Sequence, residues 1–592
     1  MKQPYVLQPH LTRFVRFFDA AHSAVPAALN AASAAAPDLA GFPYPLPSRK
    51  RDYTCFAEGA NGVVWYGAKT GLTRYEPNAA RPEDIVQYFS ADRDLPDNNV
   101  LALFAEGDNA WAKTEQGVAF IEMRMITVEE KANILLEETL NYVERRGMVS
   151  QRGLKKPRDP ESREPWAHSD NDGCFTAGFA MGELFHYAVL KREKGEDDPE
   201  TQRIRAIATR AVEACLLLMY IPGRGDGFIA RTYHTSDEPV PDDGLFFRKN
   251  GGKATCIETR AATRMGLIGK VIEAGAPIPA RLSKLYTDLG FTDDDITYKA
   301  DTSSDEVSLH YLNIYFAHEI LGPGDPELDE LMKTAAKASM QHILDHGYEM
   351  HDCTGKPTTW AKWSPGYFAD GLGWCDGCLN SAEILMYLRV TMHITGEKAQ
   401  WQEAFDHLIS LGYGDLTEMH CDRFWHASMA GNVEPREDLM YGDNMLSVAA
   451  FWGLIPLETD DTLRRKYQNG FLSWRNTQEA EHNPAYDFPL LATCPEADID
   501  MEFIATWFYR FNPSRLAAGV STVGRHDLAR GIAWGGYEFC SYLLPPDECF
   551  IAKYDRDPLQ YRDSDSGGMN CIESCYVYTN AYWAGRYYGF IQ

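Results

Sequence analysis

From about Thr127 onward the chain repeats one pattern: a stretch with apolar residues at helical spacing, then a loop. The runs are Val128–Arg145, Thr176–Arg192, Thr201–Tyr220, Glu258–Glu273, Asp305–Leu321, Glu327–His346, Ser381–Thr395, Trp401–Leu411, Glu437–Leu454 and Thr462–Trp474. Apolar side chains every three to four residues give each run a face that must be buried against a neighbour. The loops after alternate runs, such as Ile221–Gly252 and Gly347–Leu379, are long and rich in Gly, Pro, Asp and aromatics. Antiparallel helix pairs closed into a ring put such loops at one end, where they form a cleft. The expected fold class is mainly α, an (α/α)6-type toroid or barrel over residues 125–592. A solenoid would need a repeated sequence period, and none runs through this region.

The first part of the chain reads differently. Residues 1–50 are rich in Ala and Pro and form an N-terminal extension, with a helix expected over His22–Ala36. Residues 51–124 hold an internal repeat. Phe56-Ala57-Glu58-Gly59 recurs as Phe104-Ala105-Glu106-Gly107, each copy leading to a Trp (Trp65, Trp111) and a turn Gly (Gly71, Gly117). The stretch from Asn61 to Leu72 resembles the blade motif of two-component-regulator β-propellers. Two copies cannot close a propeller, so a small β-module is expected, packed on the helices.

Composition narrows the partners. The net charge of −28 disfavours nucleic acid and anionic membranes. Aromatic content is 12%, with 13 Trp and 31 Tyr, which suits stacking on sugar rings as well as a large core. The 13 Cys are scattered and odd in number, as for reduced, mostly buried thiols. Met1–Tyr5 lacks the regions of a signal peptide, and Ala214–Ile221 is too short for a membrane span. A cytoplasmic protein is expected, or a secreted or periplasmic one if a leader has been removed. Oligomeric state is not legible.

Several loop segments precede helices: Ser169-Asp170-Asn171-Asp172-Gly173, Gly225-Asp226-Gly227-Phe228, Asp301–Glu306 and Thr358–Pro365. Glu481–Pro484 and Trp583–Gly589 lie near the end. With these segments, the region from His168 onward resembles the (α/α)-barrel carbohydrate-active enzymes, both glycoside hydrolases and polysaccharide lyases. The resemblance implies a helical toroid that cleaves glycosidic bonds in an oligosaccharide or polysaccharide.

Asp301-Thr302-Ser303-Ser304-Asp305-Glu306 carries three carboxylates at a loop-to-helix junction. Ser303 and Glu306 have capping-box spacing, which assigns Glu306 to the helix end and frees Asp301 and Asp305. His310 follows Glu306 by one helical turn. Sugar hydrolysis needs two carboxyl groups roughly 5–9.5 Å apart, one of them held protonated. The second is sought in another loop, at Asp170 and Asp172. Asp172 and Asp305 are therefore the expected catalytic pair, with Asp301 and His310 in support and Asp170 beside them. Asp-Asn-Asp-Gly at 170–173 also resembles part of a calcium loop, but no Glu follows at the required distance.

Three aromatic residues, Trp360, Trp363 and Trp374, share one long loop with Tyr367 and are expected to hold the sugar. His168, His234, His346 and His351 fall in or beside long loops. Arg231 and Arg260 would bind any uronate carboxylate. A lyase would use Tyr233 or His234 as base in β-elimination, and a non-catalytic glycan-binding protein is a third reading. Trp374-Cys375-Asp376-Gly377 is similar to the zinc-site segment of lanthionine-cyclase-type proteins. The order His420-Cys421-Asp422 departs from theirs and no complete four-ligand set is present. No P-loop or strand–helix Gly-x-Gly-x-x-Gly occurs. Neither metal nor cofactor is expected.

Overall fold

The computed structural model describes residues 3–31, 36–91, 93–166, 170–370, 373–419, 437–476, 481–516, 524–528, 530–532, 538–540, 544–548 and 570–592. Eight strands come first: β1 (His10–Phe18), β2 (Tyr53–Glu58), β3 (Val64–Ala68), β4 (Gly71–Tyr75), β5 (Val86–Phe89), β6 (Ala102–Glu106), β7 (Asn109–Lys113) and β8 (Val118–Ile126). They form two four-stranded antiparallel sheets, in the orders β2-β3-β4-β5 and β1-β8-β7-β6. Each copy of the repeat supplies the meander of one sheet. Trp65, Leu72, Phe89, Leu103, Ala110 and Ile121 form a common core between them. The repeats touch where the Ala60 N–H donates to Gly107 O at 2.9 Å. β1 pairs with β8 along its whole length, from His10 opposite Ile126 to Phe18 opposite Val118. Residues 10–18 thus complete the second sheet from far upstream. Of the helix expected over His22–Ala36, the structure shows Ala27–Ala31, starting after Pro26.

The longer helices are α1 (Val128–Tyr142), α2 (Asp172–Lys194), α3 (Pro199–Tyr220), α4 (Ser304–Ile320), α5 (Pro326–Asp345), α6 (Gly373–Thr395), α7 (Ala399–Ser410), α8 (Glu437–Leu454), α9 (Asp461–Asn476), α10 (Pro484–Thr493), α11 (Met501–Arg510) and α12 (Tyr576–Tyr588). Their starts follow local chemistry. Thr127 and Glu130 cap α1 reciprocally, at 3.1 and 2.6 Å. Asp198 and Asp325 cap α3 and α5 just ahead of a Pro at the first helical position.

Odd and even helices differ in pattern. α2 shows no exposed residue from Asp172 to Tyr187, and α6 is buried from Cys378 to Leu388. A helix apolar all round belongs inside. α3 instead buries one face through Thr201, Ile204, Ala208, Ala211, Val212 and Cys215. The even helices contact one another in turn: α2 with α4, α4 with α6, α6 with α8, α8 with α10, α10 with α12, and α12 with α2. Around them, α3 packs on α2, α5 and α7 on α6, α9 on α8 and α10, and α1 on α12. Phe508 of α11 meets Tyr578 of α12 edge-on at 5.5 Å. Inside, Phe185, Phe316 and Trp452, from α2, α4 and α8, meet with ring centroids 4.9–5.6 Å apart.

Several segments depart from the sequence reading: α10 and α11 lie beyond the last run read as helical, and α6 begins at Gly373 inside the expected loop Gly347–Leu379. Glu258–Glu273 is a helix only over Arg260–Met265, because Gly266 (φ 67°) and Gly269 (φ 77°) turn the chain. Its end, Val271–Glu273, joins a five-stranded sheet inserted between α3 and α4. That sheet comprises β9 (Tyr233–His234), β10 (Phe246–Asn250), β11 (Lys253–Cys256), β12 (Val271–Glu273) and β13 (Thr297–Lys299), in the order β9-β13-β10-β11-β12. Trp583–Tyr588 is not a loop but the last part of α12.

Buried charges join the β-module to the helices. Arg13 of β1 reaches Asp94 (3.4 Å) and Asp547 (2.7 Å). Arg510 of α11 reaches Asp547 and Glu548, both at 2.9 Å, and Arg525 reaches Glu548 (3.1 Å) and Asp527 (2.7 Å). Lys131 of α1 donates to the carbonyls of Phe508, Tyr509 and Phe511 at the end of α11. The Tyr5 N–H donates to Phe590 O, and the Gln592 N–H to Tyr5 O, both at 2.9 Å. Among the described residues no helix is long and apolar enough to cross a membrane. Cys55, Cys174, Cys215, Cys256, Cys353, Cys378, Cys494 and Cys575 are buried, and Cys571 is half-buried.

Candidate active site

The even helices start at one end of the assembly, and acidic residues collect there. Asp170 and Asp172 lie at the start of α2, Asp301, Asp305 and Glu306 at that of α4, Asp376 and Glu383 in the first part of α6, and Asp443 in that of α8. Helix N-termini favour negative charge, which eases this crowding.

Arg231, in the loop after α3, binds the first two groups together. Its Nη1 donates to Asp170 Oδ1 at 3.1 Å. Its Nη2 lies 2.7 Å from Asn171 Oδ1, 2.6 Å from Ser303 Oγ and 3.4 Å from Asp305 Oδ1. Lys299, ending β13, also pairs with Asp170. Burial alone would lower the Arg231 pKa, but Asp305, Glu306, Asp170 and Asp301 hold it above the usual value. Sharing one guanidinium keeps the Asp170 and Asp305 oxygens within roughly 9 Å, inside the spread glycosidase carboxyls use. Burial raises the Asp301 pKa, against the pull of Arg231 and Lys299. Asp170, Asp301 and Asp305 all keep some solvent access.

Asp172 sits differently. It is fully buried, its Oδ2 accepts from Thr232 Oγ1 at 2.5 Å, and it lies 3.8 Å from Arg145. Arg145 is stacked on Trp166 at 4.3 Å. The structure therefore puts Asp170, rather than Asp172, beside Asp305. The expected capping box is also absent. Ser303 makes no cap hydrogen bond, since its hydroxyl meets Arg231, and the Glu306 N–H donates to Asp305 Oδ1 at 3.0 Å. Glu306 turns inward instead, against the start of α2. A Cβ on Gly173 would lie 2.4 Å from Glu306 Oε2 and 2.5 Å from the His310 ring, so only glycine allows this approach. Burial, reinforced by Asp305, pushes the Glu306 carboxyl well above its usual range. His310 is buried too, its ring nitrogens 2.6 Å from Glu306 O and 3.2 Å from Cys215 O. Burial pushes it down to about 4.

Glu383 is a site residue that motif reading missed. It is fully buried on α6. Its Oε2 accepts from the Trp363 indole N–H at 2.8 Å, and Ser308 Oγ lies 2.9 Å from Oε1. Ser308 in turn meets Tyr387 OH at 2.6 Å. Burial pushes its pKa up to about 8, and Asp443 and Asp376 add to the rise. The signal was a lone acid inside the apolar run Leu379–Leu388.

Trp363 is thus fully buried, an anchor for Glu383 rather than a platform for sugar. Trp360 and Trp374 expose 47% and 39% of their surface and remain open to a ligand. Tyr367, from the same loop, donates to Asp376. Tyr233 and His234 are fully buried, with the Tyr233 hydroxyl 3.2 Å from Arg146 Nε. Arg260 lies on the surface, paired with Asp242 at 2.9 Å. His168, Ser169, His420 and Cys421 lie outside the described residues, as does the Cys375 side chain. Among the even helices, Cys174, Gly178, Leu309, Met445, Ala485 and Tyr576 help line an apolar cavity of about 60 Å³.

No protein family matches the chain, and no curated protein matches its sequence. Among the solved structures to which the chain is weakly similar are the following. The one described as Bacteroides ovatus GH9 is 9% identical over 90% of this chain and 94% of its own, with a TM-score of 0.35. A single mutant of the thermostable endoglucanase of Alicyclobacillus acidocaldarius is 11% identical over 90% and 98%, with a TM-score of 0.29. The GH76A α-1,6-mannanase of a Salegentibacter species is 13% identical over 60% and 88%, with a TM-score of 0.23. At these scores the likenesses carry no argument, and the site stands on its own residues.

Proposed function

We propose that the chain is a glycan-cleaving enzyme, a glycoside hydrolase whose even helices form the inner ring of an (α/α) toroid. The observation that carries this reading is the shared hold of Arg231 and Lys299 on carboxylates from two separate loops. Asp170, Asp301 and Asp305 stand there with solvent access, and Trp360 and Trp374 are exposed on the segment leading into α6. Asp301, whose proton burial favours, donates to the leaving oxygen. Asp305, fixed by Arg231, is the carboxylate that activates water or attacks the sugar. Asp170 holds Arg231 and Lys299 in place, and Trp360 and Trp374 stack on sugar rings. Net charge and carboxylate excess favour a neutral glycan. The β-elimination reading loses its bases, because Tyr233 and His234 do not reach solvent.

The test is a panel of neutral and uronate-containing oligosaccharides read by product mass. A gain of one water per cleavage is expected, lost in Asp305→Asn with glycan binding kept. An unsaturated product would establish elimination instead. Turnover unchanged in both Asp301→Asn and Asp305→Asn would overturn the assignment of these residues.

A further inference from the structure

The opposite end of α4 and α6 holds a second cluster that the carboxylate site does not use. His318 and Glu319 occupy the last turn of α4, and His393 the last turn of α6. One donor atom from each of the three lies within 4.8 Å of the others. His393 Nε2 is 2.7 Å from Glu319 Oε1, and the two imidazole rings stand perpendicular with centroids 5.9 Å apart. His318 Nδ1 pairs with Asp329 Oδ1 of α5 at 2.5 Å, which leaves Nε2 as the nitrogen open to a metal. Asp329 is itself held by Lys333 at 2.6 Å. We propose that His318, Glu319 and His393 bind a divalent transition ion of the zinc class, bridging the far ends of α4 and α6.

Three arguments support this. Two imidazoles and one carboxylate form the N/O donor set that zinc accepts, with a fourth position left to water. A carboxylate behind one ligating imidazole is the arrangement that orients a metal-binding histidine and raises its basicity. Both helices also point their C-terminal ends, the negative ends of their dipoles, at the same place, which favours a cation. Imidazole ligates a metal only in its neutral form, so binding weakens on acidification.

The test uses the untagged full chain, stripped with chelator and titrated with zinc chloride in a calorimeter at neutral pH. One zinc per chain and a rise in Tm are expected. His393→Gln and Glu319→Gln, both exposed substitutions with little reason to unfold the chain, should each remove the binding. Asp329→Asn should weaken it by about 10- to 100-fold through loss of orientation. Failure of the wild type to take up zinc saturably would overturn the proposal. So would zinc uptake that is unchanged in both glutamine variants.

Discussion

Two clusters of charge, one buried and one partly open to solvent, are built differently. At the junction of the β-module with the helices, Arg13, Arg510 and Arg525 meet Asp94, Asp547, Glu548 and Asp527 in direct pairs. At the open end of the even helices, Arg231 meets Asp170 and Asp305 at once, Lys299 adds to Asp170, and Glu306 and Glu383 are fully buried nearby. In the first, Arg13 and Arg510 hold Asp547 below the usual carboxylate range, although burial pushes Asp94 up to about 6. In the second, burial outweighs the neighbouring cations, and Glu306, Glu383 and Asp301 all rise. Carboxyl groups raised by burial keep their protons to higher pH, which is what acid catalysis requires.

The sharpest way to break the contrast is Asp305→Asn. It should lower turnover by about 10²- to 10⁴-fold, the usual worth of a positioned acid or base. Urea unfolding should change little, since asparagine keeps an oxygen that can accept from the Glu306 N–H and gives up the charge facing Arg231 at 3.4 Å. Arg510→Ala should do the reverse. It leaves buried Asp547 to Arg13 and buried Glu548 to Arg525, each one arginine short, and should cost about 3–5 kcal/mol of stability by urea melts, with the activity of the folded fraction intact.

Glu383→Gln probes the second cluster through pH. With a folded pKa of about 8, Glu383 keeps its proton where the unfolded chain has lost it. Stability from this group is therefore lost as pH rises from the ordinary carboxyl range to about 8, and the loss is complete above that. Glutamine can accept from Trp363 and donate to Ser308 as the neutral acid does. The variant should match the wild type at acidic pH and exceed its Tm above pH 8. A parallel fall in both would place the titration elsewhere. The smallest effect belongs to Trp360→Ala, expected to raise KM several-fold with kcat and Tm unchanged. A drop in Tm there would make the indole a packing residue.

How much of this was legible in the sequence follows from the range of the interactions. Helices α1 to α9 were legible because the 3.6-residue period is local, and so was the crowding of acids before α2 and α4; α10, α11 and α12, beyond the last run read as helical, were not. The inserted sheet was not, since β9 to β13 are two to five residues long and lie among glycines. The Ser303–Glu306 spacing misled because Arg231, from more than seventy residues upstream, takes the Ser303 hydroxyl and leaves Glu306 to turn inward. Asp170 and Asp172 could not be ranked from sequence: they differ in burial, which Thr232 and Arg145 decide. Glu383 looked like any helical glutamate until Trp363 and Ser308 closed around it.

The clasp between Tyr5 and residues 590–592 has a consequence for the order of events during synthesis. The β-module can close once residue 126 has left the ribosome, because β1 needs only β8. Tyr5 must wait until residues 590–592 emerge. The helical region is therefore threaded between an early-folding head and a late-arriving latch, and the contact of α12 against α2 forms only once Tyr576–Tyr588 has emerged. Such long-range closure is slow. A ribosome-stalled chain lacking residues 570–592 should show a protease-resistant β-module and a protease-sensitive remainder.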